Sequence, residues 1–103
     1  MEKLTRTYDL SSIKEVFSSV EALGGRTTAS AFKGAQQLGF SREDMLSVIQ
    51  CLQRSDFYKS MTTYADHKIW QDVYHAKFGD LFIYVKFCVN KDGDYILISF
   101  KEK

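Results

Sequence analysis

The sequence predicts an α+β protein in which N-terminal helices pack on one face of a C-terminal antiparallel β-sheet. Apolar residues recur at helical spacing over residues 10–53, and the period changes to that of β-strands from about residue 57. Short turns separate the strand-like segments, and helices that precede a run of strands are typical of α+β folds. We therefore expect one domain, residues 1–103, with a helical half at about 10–53 and a sheet half at about 57–103.

Three helices are predicted in the first half. The first begins near Ser12, which fits a capping box, and ends at Gly24-Gly25. The second begins at Thr27 or Thr28, and the third follows Ser41, whose hydroxyl can cap the helix N-terminus. The apolar stripes of these helices are expected to pack against the sheet.

Three strands are predicted in the second half, with a fourth segment as a candidate for an earlier strand. The three strands lie at about Gln71–Phe78, Leu81–Val89 and Asp94–Lys101, and the earlier candidate is Phe57–Tyr64. Their connections, Gly79-Asp80 and Asp92-Gly93, are short enough for tight hairpins.

The Asp92-Gly93 turn predicts which side chains share a face. As a two-residue type I′ loop, it places Phe87 opposite Ile98 on an apolar face and Tyr84 opposite Lys101 on the other face. A slip of one residue would bury Lys101 among the apolar side chains, so the pattern itself supports this register.

The Gly79-Asp80 turn, treated in the same way, adds residues to the polar side of the sheet. That side would carry a set with no carboxylate, namely Gln71, His75, Lys77, Tyr84, Lys86, Ser99 and Lys101. Such a face is compatible with a phosphate-binding surface. It is also compatible with an ordinary solvated face, because antiparallel sheets commonly expose one side to water.

Composition excludes some classes of protein and leaves others open. With 45% hydrophobic and 26% charged residues, the chain has an ordinary globular balance, and no apolar run approaches the roughly 20 residues of a membrane helix. No secretory signal is recognisable, and Cys51 and Cys88 are too few for a disulfide framework or metal cluster. We expect a cytoplasmic protein with no membrane partner, with Cys51 a small buried residue of the third helix.

Net charge gives little information about partners. The chain carries a formal charge of +1 and a pI of 7.7, whereas a typical nucleic-acid-binding domain has a pI above about 9. If the protein binds nucleic acid, its positive charge must therefore be concentrated on one face.

The block SDFYKSMTTYADHKIWQDVY, residues 55–74, and the terminal SFKEK, residues 99–103, closely resemble the motility quorum-sensing regulator (MqsR) family. Members of this family are toxins of type II toxin–antitoxin pairs. The resemblance implies a RelE-like α+β fold and a ribosome-independent endoribonuclease that cuts mRNA at GC-containing triplets. It also implies a cognate antitoxin with zinc-binding and helix-turn-helix domains.

The resemblance further implies four catalytic residues, all of which this chain retains. They are Lys59 of FYKSMT, Gln71 of IWQDVY, Tyr84 before Val85-Lys86, and Lys101 of SFKEK. His75 stands where the family pattern leads us to expect arginine, which bears on RNA affinity and sequence preference. His75, Lys77 and Lys86 are predicted to bind RNA phosphates, with solvated strand residues as the alternative.

The residue types favour one kind of RNA cleavage. No paired histidines and no acidic metal cage are recognisable, so we expect attack by the 2′-hydroxyl without a cofactor or metal ion. In this hypothesis Lys59 or Tyr84 assists proton transfer, Lys101 stabilises the phosphate, and Gln71 orients the substrate. Two other classes stay open, a non-catalytic RNA-binding module that uses the same face and a protein-interaction domain.

Overall fold

The computed structural model describes all 103 residues and contains four α-helices and a five-stranded antiparallel sheet, which confirms the predicted α+β fold class. The helices precede four of the five strands. In chain order the elements are β1 (Glu2–Lys3), α1 (Leu10–Val16), α2 (Val20–Arg26), α3 (Ala29–Gln37), α4 (Arg42–Gln50), a 3₁₀ turn (Arg54–Asp56), β2 (Phe57–Thr62), β3 (Trp70–Phe78), β4 (Leu81–Val89) and β5 (Tyr95–Glu102).

The segment predicted as one helix from Ser12 to Gly24-Gly25 forms two helices, α1 and α2. Asp9 caps α1, since its carboxylate accepts from the Ser12 backbone amide at 3.0 Å. Ser19 then caps α2, which runs through Gly24-Gly25 rather than ending there. The amide of Gln50 donates to the carbonyl oxygen of Phe17 at 2.7 Å, so the end of α1 is satisfied by a side chain from α4.

The two later helices begin where the sequence predicts. Thr28 caps α3, and Ser41 caps α4 in a capping box with Asp44. Cys51 was predicted to be buried, and this is wrong, because α4 ends at Gln50 and the next residue faces solvent. None of the four helices is long and apolar enough to cross a membrane.

The strands lie in the order β1-β2-β3-β4-β5, each antiparallel to its neighbours. The sequence predicts β2 to β5 but gives no signal for β1, a strand of two residues that pairs with the far end of β2. The segment after β1 is fastened to the sheet by the buried carboxylate of Asp72. This group accepts backbone hydrogen bonds from Thr7 and Tyr8 at distances of 2.8 to 3.1 Å.

The register between β3 and β4 is the predicted one along its whole length, with His75 opposite Tyr84. Between β4 and β5 the prediction is right at Tyr84 opposite Lys101 but wrong nearer the turn, where Phe87 lies opposite Leu97. Ile98 is therefore an extra residue in β5, and Leu97 rather than Ile98 enters the core.

The turn itself explains the change of register. Asn90 pairs with Asp94 by a backbone hydrogen bond of 2.9 Å, which leaves a loop of residues 91–93 instead of the two predicted. The side chain of Asn90 accepts from the backbone amides of Asp92 and Asp94 at 2.9 Å each. Gly93 takes the left-handed conformation with φ 83°, as loops of this length usually require.

The helices cover one face of the sheet and leave the other open. Seventeen buried residues from α1 to α4 and from β3 to β5 form a single apolar core. Helix α3 lies against β5 at Gly34, where an added Cβ would overlap the carbonyl oxygen of Phe100 and lie 3.3 Å from the Cβ of Lys101. This close approach sets the position of α3 beside the strand that carries Lys101.

We expect the substitution Gly34→Ala to destabilise the protein by about 1–3 kcal/mol, because the methyl group would force α3 away from a backbone that cannot yield. Gly25→Ala is the matched control, since nothing lies within 4 Å of that helical position. Alanine there should raise stability by roughly 0.5–1 kcal/mol. Urea unfolding of both variants measures the difference, and equal effects would contradict the proposed close packing.

Candidate active site

The face of the sheet opposite the helices carries the residues predicted to act on RNA. We call it the basic face and define it by Lys59, Gln71, His75, Lys77, Tyr84, Lys86, Ser99 and Lys101. Strand pairing arranges these side chains in rows that cross the sheet. One row contains His75, Tyr84 and Lys101, and the next contains Lys59, Lys86 and Ser99 with the buried Val73 between them.

Tyr84 lies at the centre of the basic face. Its ring centroid is 5.9 Å from that of His75, its cross-strand neighbour on β3. The ammonium nitrogen of Lys101, on the neighbouring strand β5, lies 5.3 Å from the Tyr84 ring, and that of Lys86, two residues along β4, lies 5.7 Å from it. Two ammonium groups and one imidazole thus surround a single phenol, and the two ammonium groups concentrate positive potential there.

Lys59 completes the cluster from β2, but it already has a partner. Its ammonium group donates a hydrogen bond of 2.7 Å to the carboxylate of Glu2 on β1. The sequence predicts a face without carboxylates. This prediction is right for β2 to β5, but it misses Glu2 of β1. Glu2 and Lys59 are 57 residues apart in the chain, and no local pattern signals the contact.

Gln71 and Lys77 share the face but lie away from its centre. Each is on β3, and each is separated from the nearest row of the cluster by two residues, or about 7 Å along the strand. Of the seven predicted site residues, the structure therefore brings five together, Lys59, His75, Tyr84, Lys86 and Lys101. It places the other two at opposite ends of the face.

Two exposed aromatic side chains border the cluster and were not among the predicted site residues. Tyr58 occupies a bulge in β2 and stacks on His75, with ring centroids 4.3 Å apart and planes inclined by 24°. Phe82 lies opposite Lys77 and is about half exposed. The predicted register already placed Phe82 on this face, whereas the bulge that turns Tyr58 onto it has no sequence signal.

The electrostatic environment keeps the central phenol protonated. Burial raises the pKa of Tyr84 above its usual value near 10, and the ammonium group of Lys59 opposes only part of this rise. Burial lowers the pKa of Lys86, and the neighbouring charge of Lys101 lowers it further. Tyr84 is therefore suited to donate a proton or a hydrogen bond at neutral pH.

The surroundings shift the pKa values of Lys59 and His75 in opposite directions. The hydrogen bond to Glu2 raises the pKa of Lys59, so this amine stays protonated. Partial burial lowers the pKa of His75 from its ordinary value, and the charges of Lys103 and Lys59 lower it further, so the neutral imidazole is favoured.

The side chains of this face are not arranged as metal ligands. No group of three or more His, Cys, Asp or Glu residues anywhere in the chain is placed to hold a metal ion. The groups that the structure does bring together are a phenol, an imidazole and three amines. These groups can bind an anion, donate protons and, through the imidazole, accept one.

Comparison with known proteins gives two findings. The sequence model of the family described as "Motility quorum-sensing regulator, toxin of MqsA" matches residues 5–102. The mRNA interferase toxin MqsR of Escherichia coli (strain K12) is 45% identical over 103 residues, which is 100% of this chain and 100% of that protein. Both matches include β2 to β5, the strands that form the basic face.

We expect Glu2→Gln to lower the pKa of Lys59, because the carboxylate is the largest cause of its rise and partial burial acts in the opposite direction. An NMR titration of the lysine side chains measures this change directly. Glu15→Gln, at an exposed position on α1, is the control and should leave the Lys59 titration unchanged. An unaltered Lys59 pKa in the Glu2 variant would show that the ion pair does not form in solution.

Proposed function

Because the chain belongs to the motility quorum-sensing regulator family of toxins, we propose that it is an mRNA interferase, a toxin that cleaves messenger RNA. Membership confirms the resemblance predicted from residues 55–74 and from the terminal SFKEK. We further propose that it acts in the cytoplasm without the ribosome, at GC-containing triplets, and without a metal ion or cofactor.

The central observation behind this proposal is that the ammonium groups of Lys101 and Lys86 lie beside Tyr84 on an open sheet face. RNA presents one negative charge at each nucleotide, and cleavage adds charge to the scissile phosphate in the transition state. Preorganised positive groups that already crowd one point stabilise that added charge without having to reorganise. We propose that the scissile phosphate binds over Tyr84.

Roles follow from the protonation states of the groups. Lys101 and Lys86 are proposed to bind the phosphate oxygens and to stabilise the pentacovalent transition state. Tyr84 and Lys59 are both protonated, so either is suited to give a proton to the 5′-oxygen as it leaves. Attack by the 2′-oxygen then gives a 2′,3′-cyclic phosphate, and the departing 5′-oxygen becomes a 5′-hydroxyl.

The outlying residues of the face suit the flanking nucleotides. Gln71 and Lys77 lie on either side of the central rows, each about 7 Å along β3 from its nearest row, which is close to the spacing of phosphates in extended RNA. We propose that Gln71 orients the substrate by hydrogen bonding and that Lys77 binds a neighbouring phosphate. The exposed ring of Phe82 offers a surface on which an unpaired base can stack.

A toxin of this kind requires a partner that keeps it inactive. The family description names the antitoxin MqsA. We propose that a cognate antitoxin of that type, with a zinc-binding domain and a helix-turn-helix domain, neutralises this protein.

We expect Tyr84→Phe and Lys101→Ala each to lower the rate of RNA cleavage by about 10²–10³-fold, because each removes a group that acts on the reacting phosphate. The assay uses purified protein, an RNA with one GC-containing triplet, and no ribosomes. Lys91→Ala, at an exposed turn remote from the face, should cleave like the wild type. Full activity in both site variants would refute the site, and products with a 3′-hydroxyl would refute the mechanism.

Forced expression of the wild-type chain is expected to arrest bacterial growth, because loss of mRNA stops protein synthesis. Expression of Lys101→Ala should not, and co-expression of the antitoxin encoded beside the gene should restore growth. Colony counts after induction measure both effects. Salt-sensitive RNA binding with neither cleavage nor arrest would favour the non-catalytic RNA-binding module instead.

A further inference from the structure

The proposed mechanism lacks a group that accepts the proton of the 2′-hydroxyl. The sequence left Lys59 and Tyr84 as the candidates, but the structure gives both a raised pKa. An amine or phenol that holds its proton more tightly than usual is a poor base at neutral pH. Another side chain of the same face is therefore better suited to accept this proton.

We propose that His75 is the general base of the reaction, a role that rests on the proposed ribonuclease function. His75 lies directly across from Tyr84 and in the same row as Lys101, so a phosphate bound between the lysines places its adjoining 2′-hydroxyl beside the imidazole. The side chain is partly exposed and accessible to substrate.

The surroundings of His75 hold its ring in place and leave its nitrogens free. The ring of Tyr58 stacks on the imidazole with ring centroids 4.3 Å apart. The ring centroid of Tyr84, on β4, lies 5.9 Å from that of the imidazole. The imidazole makes no hydrogen bond to another group of the protein. One ring nitrogen of a neutral imidazole is an acceptor, and here that acceptor is available to an incoming hydroxyl.

The charges around His75 favour the form that a base requires. The titratable groups that face it from β2, β3, β4, β5 and the C-terminal residue are Tyr58, Lys59, Lys77, Tyr84, Lys86, Lys101 and Lys103. Every one of these side chains that is charged at neutral pH is a cation, and the carboxylate of Glu2 accepts a hydrogen bond from Lys59. Positive neighbours disfavour a protonated imidazole, so the ring awaits substrate in its neutral form.

The step balances in atoms and charge. The imidazole of His75 takes the proton of the 2′-hydroxyl while the 2′-oxygen forms a bond to phosphorus. The bond from phosphorus to the 5′-oxygen breaks, and that oxygen takes a proton from Tyr84 or Lys59. Proton exchange with water then deprotonates His75 and reprotonates Tyr84 or Lys59, whichever group donated its proton.

This assignment predicts a particular pH profile. The value of kcat/KM should fall as the pH drops through the lowered pKa of His75, and it should be level through neutral pH. If Lys59 or Tyr84 were the base, the rate would instead keep rising into the alkaline range. A rate that rises tenfold per pH unit between pH 7 and 9 would overturn the proposal.

The decisive variant is His75→Gln, which removes the base without changing the charge at neutral pH. It is expected to lower kcat by about 10²-fold or more and to abolish the acid limb of the profile. Its affinity for the same RNA carrying a 2′-deoxy nucleotide at the cleavage site should stay within about threefold of wild type. His67→Gln removes the other of the two histidines, which lies exposed in the β2–β3 loop, and should behave like the wild type.

A modified substrate separates a base from an acid. An RNA with sulfur in place of the leaving 5′-oxygen needs no proton from the enzyme, because a thiolate is a good leaving group. The defect of His75→Gln should persist with this RNA, whereas that of a variant lacking the acid should disappear. Rescue of the glutamine variant by sulfur would overturn the assignment, as would a loss of activity that only matches lost RNA binding.

The same assay distinguishes this inference from the function on which it rests. If the wild-type protein fails to cleave any RNA, the proposed function is wrong and the inference falls with it. If the wild type cleaves RNA and His75→Gln does so at the wild-type rate, only the role of His75 is wrong. A melting temperature equal to that of wild type shows that the variant is folded.

Discussion

One extra residue in β5 determines what the basic face contains. The β4–β5 loop has three residues, and with that loop a regular ladder would place Phe100 opposite Tyr84 and turn Lys101 towards the core. The bulge at Ile98 restores the register, so that Lys101 faces the same side as Tyr84. Thr28 secures this bulge, because its amide and hydroxyl donate to the carbonyl oxygens of Leu97 and Ile98 at 3.0 and 3.2 Å. The same contacts begin α3, so the helical layer and the candidate site are fixed by one irregularity.

The basic face is preorganised for binding, and this arrangement lowers the stability of the free protein. Ammonium groups from three strands approach one phenol, and their mutual repulsion opposes folding. The ring of Tyr84 and the carboxylate of Glu2 offset part of that repulsion. A bound phosphate would relieve much more of it. Affinity for an anionic backbone and local instability of the empty site are thus two results of the same arrangement.

Local patterns in the sequence predict most of the fold and much of the candidate site. Alternation along β3 and β4 predicted their register and placed Tyr84, His75 and Lys86 on one face, because a period of two can be read within a single strand. Features that depend on distant residues were missed. The division between α1 and α2 relies on Gln50, and the partner of Lys59 comes from a strand too short to show any period. The bulges at Tyr58 and Ile98 are likewise set by neighbouring strands and by Thr28 rather than by their own sequence.

The strand order also bears on how the chain folds. Strands β2 to β5 are neighbours in sequence as well as in space, so their hairpins close over short loops. Strand β1 joins the sheet only by closing a segment of more than fifty residues, and it contributes just two residues of pairing. It is therefore suited to be the last strand to dock and the first to detach in local opening. Each such opening would release Lys59 from Glu2 while Tyr84, His75 and Lys101 stay in place, which makes the charge of this face fluctuate within a native fold.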